Sequence, residues 1–271
     1  MKCFLCQENK FKVVYKLKNK NIFHCNNDGL IVGKATSDNK INTYSEEYFS
    51  NAPNLFNQSY FLKKLKTVRL LTSNFLPKTL DIGCGWGDFE EVLEKEMIPY
   101  LGIDINKQAI EICKKKGLNC KLSTVQQLTI NKQQLFHVIT LFQVIEHNKN
   151  PLPLLKSVKK LLKKGGVLLL TTPNNNSPLR ILSGPRWSVY NEDSHYVFYN
   201  KKTLHETLEL AGFKNIIVKI DRMRFFYLNY IFNRLKQIYF PNFEFRISNF
   251  EFFLPIPTDP LGDLVATAFI D

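Results

Sequence analysis

The stretch DIGCGWGDF, residues 81–89, decides how the chain folds. Three glycines, Gly83, Gly85 and Gly87, follow a short apolar run, KTLDIG, and precede an acidic helical pattern, DFEEVLEKE. Glycine at such a strand-to-helix corner adopts backbone angles closed to other residues and lets a ligand lie against the main chain. The free N–H groups at the start of the following helix offer a place for an anion. A dinucleotide-binding loop would space its glycines G-x-G-x-x-G, and the third position here is Asp88, which counts against NAD and FAD.

The same alternation continues in both directions. QSYFLKKLKTVRLLTSNF (58–75) has helical apolar spacing and reads as the first helix of the main domain. Downstream, PYLGID, LNCKLS, FHVITLF and GGVLLLTTP read as strands. Between them NKQAIEICKKK and PLPLLKSVKKLLKK read as helices, and KKTLHETLELAG and FKNIIVKI add a further helix and strand. Strands and helices alternating in this way argue for an α/β, doubly wound, largely parallel sheet, with ligands at the carboxyl ends of its strands. Residues 1–35 read as a small β-rich module, 36–57 as a polar linker and 58–271 as the main domain.

The spacing D-x-G-x-G-x-G resembles motif I of the class I S-adenosylmethionine-dependent methyltransferases. The second strand ends in Asp104, 23 residues beyond Asp81, where a carboxylate accepts hydrogen bonds from ribose hydroxyls. FHVITLFQVIEHNKNP and LLKKGGVLLLTTPN are similar to the family's fourth- and fifth-strand motifs, and PLGDLVATAFID to its closing strand. HYVFYNKKTLHETLELAGF resembles the subgroup of ubiquinone-biosynthesis O-methyltransferases. The resemblance implies a Rossmann-like, seven-stranded sheet in the order 3-2-1-4-5-7-6, its seventh strand antiparallel. It also implies S-adenosylmethionine as cofactor and S-adenosylhomocysteine as product. The cofactor contacts it implies are Asp81, Gly83, Cys84, Gly85, Gly87, Asp104, Ile105, Thr124, Val125 and Phe142. Two positions depart from the family pattern: STVQQL has no acid near Thr124, and the fourth strand begins Phe136-His137 rather than Phe-Asp.

Methyl transfer from a sulfonium is an in-line displacement in which the protein supplies alignment and excludes water, and an oxygen acceptor also has a proton to lose. Candidate groups are Glu146 and His147 in VIEH and His195 in EDSHYVF. By resemblance these three also form part of a divalent-cation site, although Gln143 stands where a further glutamate is usual. An amide is a weaker ligand for a hard cation than a carboxylate. Arg186, Trp187 and Tyr190, in the loop after the fifth strand, are expected on the acceptor wall from their position.

Six cysteines fall in two groups. Cys3, Cys6 and Cys25 resemble a zinc-ribbon-like leader with Asp28 in the fourth cysteine's place and His24 as an alternative, a set that a structural zinc accepts. Cys84, Cys113 and Cys120 read as packing residues. The segment 222–253 holds 12 aromatics with five basic and two acidic residues. It reads as a cap over the substrate mouth, a basic amphipathic helix on a membrane surface, or a stacking surface for single-stranded nucleic acid.

Composition sets the outer limits. The 271 residues are 44% hydrophobic and 23% charged, which excludes wholly disordered, collagen-like and disulfide-knot classes. The net charge of +13 comes largely from 30 lysines, a solvated surface before it is a binding surface. No run reaches the ~18 apolar residues of a membrane span, and MKCFLCQENKFK lacks the apolar core of a secretory signal, so the cytoplasm, including the inner face of the membrane, is the expected address. The expected activity is O-methylation of a small or carrier-linked metabolite, such as an envelope-glycan sugar or a quinone-like phenol. The alternatives are an RNA methyltransferase and a non-catalytic cofactor-binding protein that uses 222–253 as an interaction surface.

Overall fold

The computed structural model describes residues 1–36, 54–72, 76–128, 135–221 and 262–270. The aromatic segment 222–253, and the expected linker apart from residues 36 and 54–57, lie outside them.

Seven strands form the central sheet: β4 (Thr79–Ile82), β5 (Tyr100–Asp104), β6 (Cys120–Leu122), β7 (Phe136–Phe142), β8 (Leu162–Thr172), β10 (Lys214–Ile220) and β11 (Leu264–Phe269). Their order is β6-β5-β4-β7-β8-β11-β10, which is the expected 3-2-1-4-5-7-6. β4 pairs in parallel with β5 (Leu80 opposite Leu101) and with β7 (Leu80 opposite Ile139). β11 runs antiparallel to both β8 and β10. All four residues of β4 are buried, as a central strand covered on both faces requires.

Helices cover both faces. The helix α1 (Asn54–Leu71) begins four residues before the expected start. Its Leu65 packs with Phe89, Val92 and Leu93 of α2 (Asp88–Lys95), and its Val68 against Val138, Val167 and Leu169 of the sheet. Each such side chain contributes about 1.5–3 kcal/mol by leaving water. Asp88, Glu90 and Glu91 fill the first turn of α2, where the helix dipole favours acids. The helix α3 (Lys107–Lys115) is capped by Asn106, whose side chain accepts from the Gln108 and Ala109 N–H groups. The helix α4 (Leu152–Leu161) leads directly into β8. Two short helices follow, α5 (Pro178–Ser183) and α6 (Ser188–Asn191). The helix α7 (Lys201–Leu210) starts with a capping box between Asn200 and Thr203.

The N-terminal strands β1 (Phe11–Lys16), β2 (Lys20–Cys25) and β3 (Ile31–Ala35) form an antiparallel sheet completed by β9 (Val197–Phe198), which comes from the main domain between α6 and α7. Ile31 pairs with Phe198 and Val32 with Val197. Cys3, Phe4, Cys25 and Leu30 join the same apolar cluster as Leu80, Ile139 and Leu168. Lys20 is buried, and its ammonium donates to the Glu192 and His195 carbonyls. Burial lowers its pKa to about 8, against the pull of Asp193 and Glu192.

A second buried cation ties α1 to the far edge of the sheet. Lys64 Nζ lies 2.5 Å from Asp221 Oδ2, with both side chains almost fully buried, and the Tyr60 hydroxyl donates to the same oxygen at 3.0 Å. Removing one member of a buried ion pair leaves a desolvated charge. Asp221→Ala is therefore expected to lower the unfolding free energy by about 3–5 kcal/mol, read from urea denaturation.

Candidate active site

Gly83, Gly85 and Gly87 all have positive φ, at 79°, 53° and 81°. The Gly83 and Cys84 N–H groups donate to the Ile103 carbonyl, at 2.8 and 3.1 Å, so the loop folds back over the end of β5. A Cβ on Gly83 would lie 2.4 Å from Val144 Cγ2, whereas Gly85 faces open space. Asp104 holds the loop from the other side: Oδ2 accepts from the Gly85 N–H at 3.0 Å and Oδ1 from the Asn106 N–H at 2.7 Å. One half-buried carboxylate thus joins two strand-to-helix turns and keeps lone pairs for a ligand's hydroxyls.

A cavity of about 440 Å³ opens at the carboxyl ends of β4, β5, β6 and β7. Seven of the ten expected cofactor contacts line it: Gly83, Gly85, Asp104, Ile105, Thr124, Val125 and Phe142. Thr124 caps a 3-10 turn, Val125–Gln127, and exchanges hydrogen bonds with Gln127. Asn106, Ser123, Gln126, His147, Asn148 and Leu154 also line the cavity. Asn106 opens the helical run NKQAIEICKKK and Asn148 lies inside FHVITLFQVIEHNKNP, so their positions were readable from those segments.

Three expected cofactor contacts lie elsewhere. Asp81 is buried below the loop and accepts a hydrogen bond from the Thr140 hydroxyl. Burial raises its pKa to about 7, opposed by that hydrogen bond and reinforced by the Asp104 charge. Burial likewise holds Glu90 well above the carboxylate range, with the Asp81 charge adding to it. Cys84 points away from the cavity into a cluster with Ile110, Cys113, Leu118 and Cys120. Gly87 caps α2, and a Cβ there would lie 2.3 Å from Leu118 Cδ1. The departure at His137 is remote from the site. Its Nδ1 accepts from the Lys78 N–H at 3.0 Å, at the opposite end of β7 from the cavity.

Glu146, His147 and His195 do come together: one ligand atom from each lies within 4.8 Å of the others. Glu146 and His147 occupy a 3-10 turn after β7, Ile145–His147, and Glu146 Oε2 accepts from the Thr172 hydroxyl at 2.9 Å. His195 arrives from the loop before β9, and the two imidazole centroids are 4.6 Å apart. His147 Nδ1 faces the Ser194 carbonyl at 3.1 Å and His195 Nδ1 the Val189 carbonyl at 3.2 Å. A carbonyl only accepts, so Nδ1 carries the proton in each ring and Nε2 keeps its lone pair. Burial lowers both pKa values, His195 to about 3 with the His147 and Lys20 charges adding to it. Gln143, at φ 58°, turns its amide to Asp263 Oδ2 at 3.0 Å and to Thr171. Its N–H₂ group is thereby committed to the β8 and β11 side.

The residues expected on the acceptor wall lie apart from this cavity. Trp187 and Tyr190 are 2% and 0% exposed and pack with Ile22, Ile31 and Phe198 under the N-terminal sheet. The Tyr190 hydroxyl bonds Asn175 and receives Arg180 Nε. Rings enclosed in this way support the N-terminal sheet. Arg186 is exposed in the 3-10 turn Gly184–Arg186, and none of the three lines the cavity.

At the N-terminus, Cys3, Cys6, Cys25 and Asp28 place their ligand atoms within 4.8 Å of one another. Cys3 Sγ donates to Asp28 Oδ2 at 2.9 Å, and the Cys6 and Cys25 sulfurs are 3.6 Å apart. Burial, then the carboxylate, pushes the Cys3 thiol up. Burial opposes ionisation of Asp28, yet the thiols and the Leu30 N–H hold its pKa below the usual value. His24 is not part of the group.

A family model described as a methyltransferase domain matches residues 51–218. The ubiquinone biosynthesis O-methyltransferases of Vibrio vulnificus and Haemophilus ducreyi are 32% and 34% identical over 108 and 110 residues. Those matches cover 38% and 37% of this chain, and the chain spans about half the length of these relatives, 46% and 47%. A S-adenosylmethionine-dependent methyltransferase from Archaeoglobus fulgidus aligns over 83% of this chain and all of its own, with TM-score 0.54 and 19% identity. The plantazolicin methyltransferase BpumL in complex with S-adenosylhomocysteine aligns over 83% of this chain and 88% of its own, with TM-score 0.57 and 18% identity. At those identities the structures share the fold. The chain belongs to the methyltransferase-domain family.

Proposed function

We propose that the chain transfers the methyl group of S-adenosylmethionine to an oxygen of a small or carrier-linked metabolite, an envelope-glycan sugar or a quinone-like phenol. The observation that carries the reading is the cavity that joins Gly83, Gly85 and Asp104 at one side to Phe142 and His147 at the other. Asp104 would take the ribose hydroxyls, the two glycines would admit the cofactor's chain against the backbone, and Thr124 and Gln126 would border its base. The ubiquinone-type relatives support an oxygen acceptor.

The donor is already activated, so alignment in a dry site does most of the work. His147 lines the cavity with its proton on Nδ1, so that Nε2 is the basic atom suited to accepting a hydroxyl proton, and Glu146 and His195 stand beside it. The same three groups fit a divalent cation, which when bound would polarise the acceptor oxygen. Cys3, Cys6, Cys25 and Asp28 fit a structural zinc, which would clamp the start of the chain onto the main core. The exposed, lysine-rich surface and the segment 222–253 leave two other readings, contact with a membrane surface and an RNA acceptor. Among the described residues no helix is long and apolar enough to cross a membrane.

Asp104→Ala is expected to weaken S-adenosylhomocysteine binding at least tenfold, about 1.4 kcal/mol by titration calorimetry; unchanged affinity would remove the cofactor site from this cavity. Glu146→Gln and His147→Gln are expected to cut turnover about 100-fold or more while the product still binds. Joint loss of binding and turnover would instead assign the pair a structural role. Methyl-labelled S-adenosylmethionine added to a fractionated host extract is expected to mark the lipid, glycan or soluble fraction. Label in RNA, bound in a steeply salt-dependent way, would overturn the metabolite reading.

A further inference from the structure

On the side of the glycine loop away from the cavity, Cys84, Cys113 and Cys120 meet. Cys84 comes from the loop, Cys113 from the last turn of α3 and Cys120 from the first residue of β6. All three are buried and free, and their sulfurs all lie within 4.8 Å of one another. A closed-shell cation holding three thiolates at about 2.3 Å needs sulfurs about 4 Å apart, so little movement separates this cluster from a binding site.

A second observation points into the same space. Glu90 of α2 is fully buried; no N–H or hydroxyl among the described residues donates to its oxygens, its side-chain partner is the Asp81 carboxyl, and it stands just outside the group of three sulfurs. Gly102 of β5 lies between this carboxyl and the sulfurs. A Cβ at that position would be 2.7 Å from Cys120 Sγ, 2.8 Å from Glu90 Oε1 and 3.1 Å from Cys84 Cβ. The glycine thus leaves a cradle flanked by sulfur and carboxylate, the two donor types that zinc-class cations accept together. Apolar packing explains three buried thiols, but it gives no reason to bury the Asp81–Glu90 carboxyl pair beside them. Lys116 lies close by, with its ammonium on the Trp86 carbonyl at 2.9 Å and paired with Glu91 Oε1 at 2.7 Å.

We propose that Cys84, Cys113 and Cys120, with Glu90 in the fourth position, form a binding site for a thiophilic divalent cation of the zinc class, distinct from the N-terminal set. Binding forms three metal–sulfur bonds and one metal–oxygen bond, and the protons of the ligands pass to solvent. The ion joins the glycine loop to α3, β6 and α2, so it braces the cavity from beneath without entering it. The Cys113 thiol, which donates to the Gly85 carbonyl at 3.3 Å in the metal-free chain, gives up that bond to the metal.

Cadmium is the probe. The full chain carrying Cys3→Ser, Cys6→Ser and Cys25→Ser, reduced and stripped with chelator, is expected to bind one cadmium ion with a sulfur-to-metal charge-transfer band. Adding Cys113→Ser or Cys120→Ser should weaken that binding at least 100-fold, and Glu90→Gln should weaken it about tenfold while the band persists. In the otherwise unaltered chain the same ion should survive Cys6→Ser and be lost with Cys120→Ser, which covers failure of the triple variant to fold. Melting curves of the metal-free variants identify the folded ones. A folded triple-serine chain that binds no cadmium, or undiminished binding after Cys120→Ser, would overturn the proposal.

Discussion

The cavity depends on one carboxylate. A loop with three glycines at positive φ has many alternatives when unfolded and little side-chain packing to fix it when folded. Asp104 supplies the constraint by accepting the Gly85 N–H on one oxygen and the Asn106 N–H on the other. The Ile103 carbonyl adds two more hydrogen bonds from Gly83 and Cys84. The turns after β4 and β5 are therefore held in one geometry before anything binds, and a ligand does not bear the cost of ordering them.

The parts of this arrangement that reside in neighbouring residues were legible in the sequence. A strand, glycines at 83, 85 and 87, an acidic helix start and an aspartate closing the next strand are local patterns, and they are sufficient for the fold class. Asp81 shows the limit of such reading. It sits in the motif, but strand alternation sends its side chain down toward Thr140 and Glu90, whereas Asp104 stands at the strand end where the backbone turns outward. The motif identifies both acids and cannot say which one lines the cavity.

Contacts between distant segments were the harder part. β9 is two residues long, too short to carry a periodic signal, and its pairing with β3 joins positions some 165 residues apart. That pairing encloses Trp187 and Tyr190: aromatic residues in a polar loop read as a binding wall until the sheet that covers them is known. The three later cysteines are scattered in the same way, and only the β5–β6 register and the return of α3 bring them together. His147 and His195 were candidates by type, but their common tautomer comes from carbonyls at Ser194 and Val189 that no motif announces.

The β3–β9 junction also changes what the first 35 residues are for. They shelter Trp187, Tyr190 and Phe198, and through Gly33, whose N–H donates to the Tyr196 carbonyl at 2.8 Å, they hold the loop that presents His195. A shortened chain beginning after β3 would keep the whole seven-stranded sheet, yet it would expose an aromatic face and a bare strand edge, features that favour self-association. The N-terminal strands and the loop that carries His195 are therefore not separable parts: in any descendant of this chain, loss of one calls for redesign of the other.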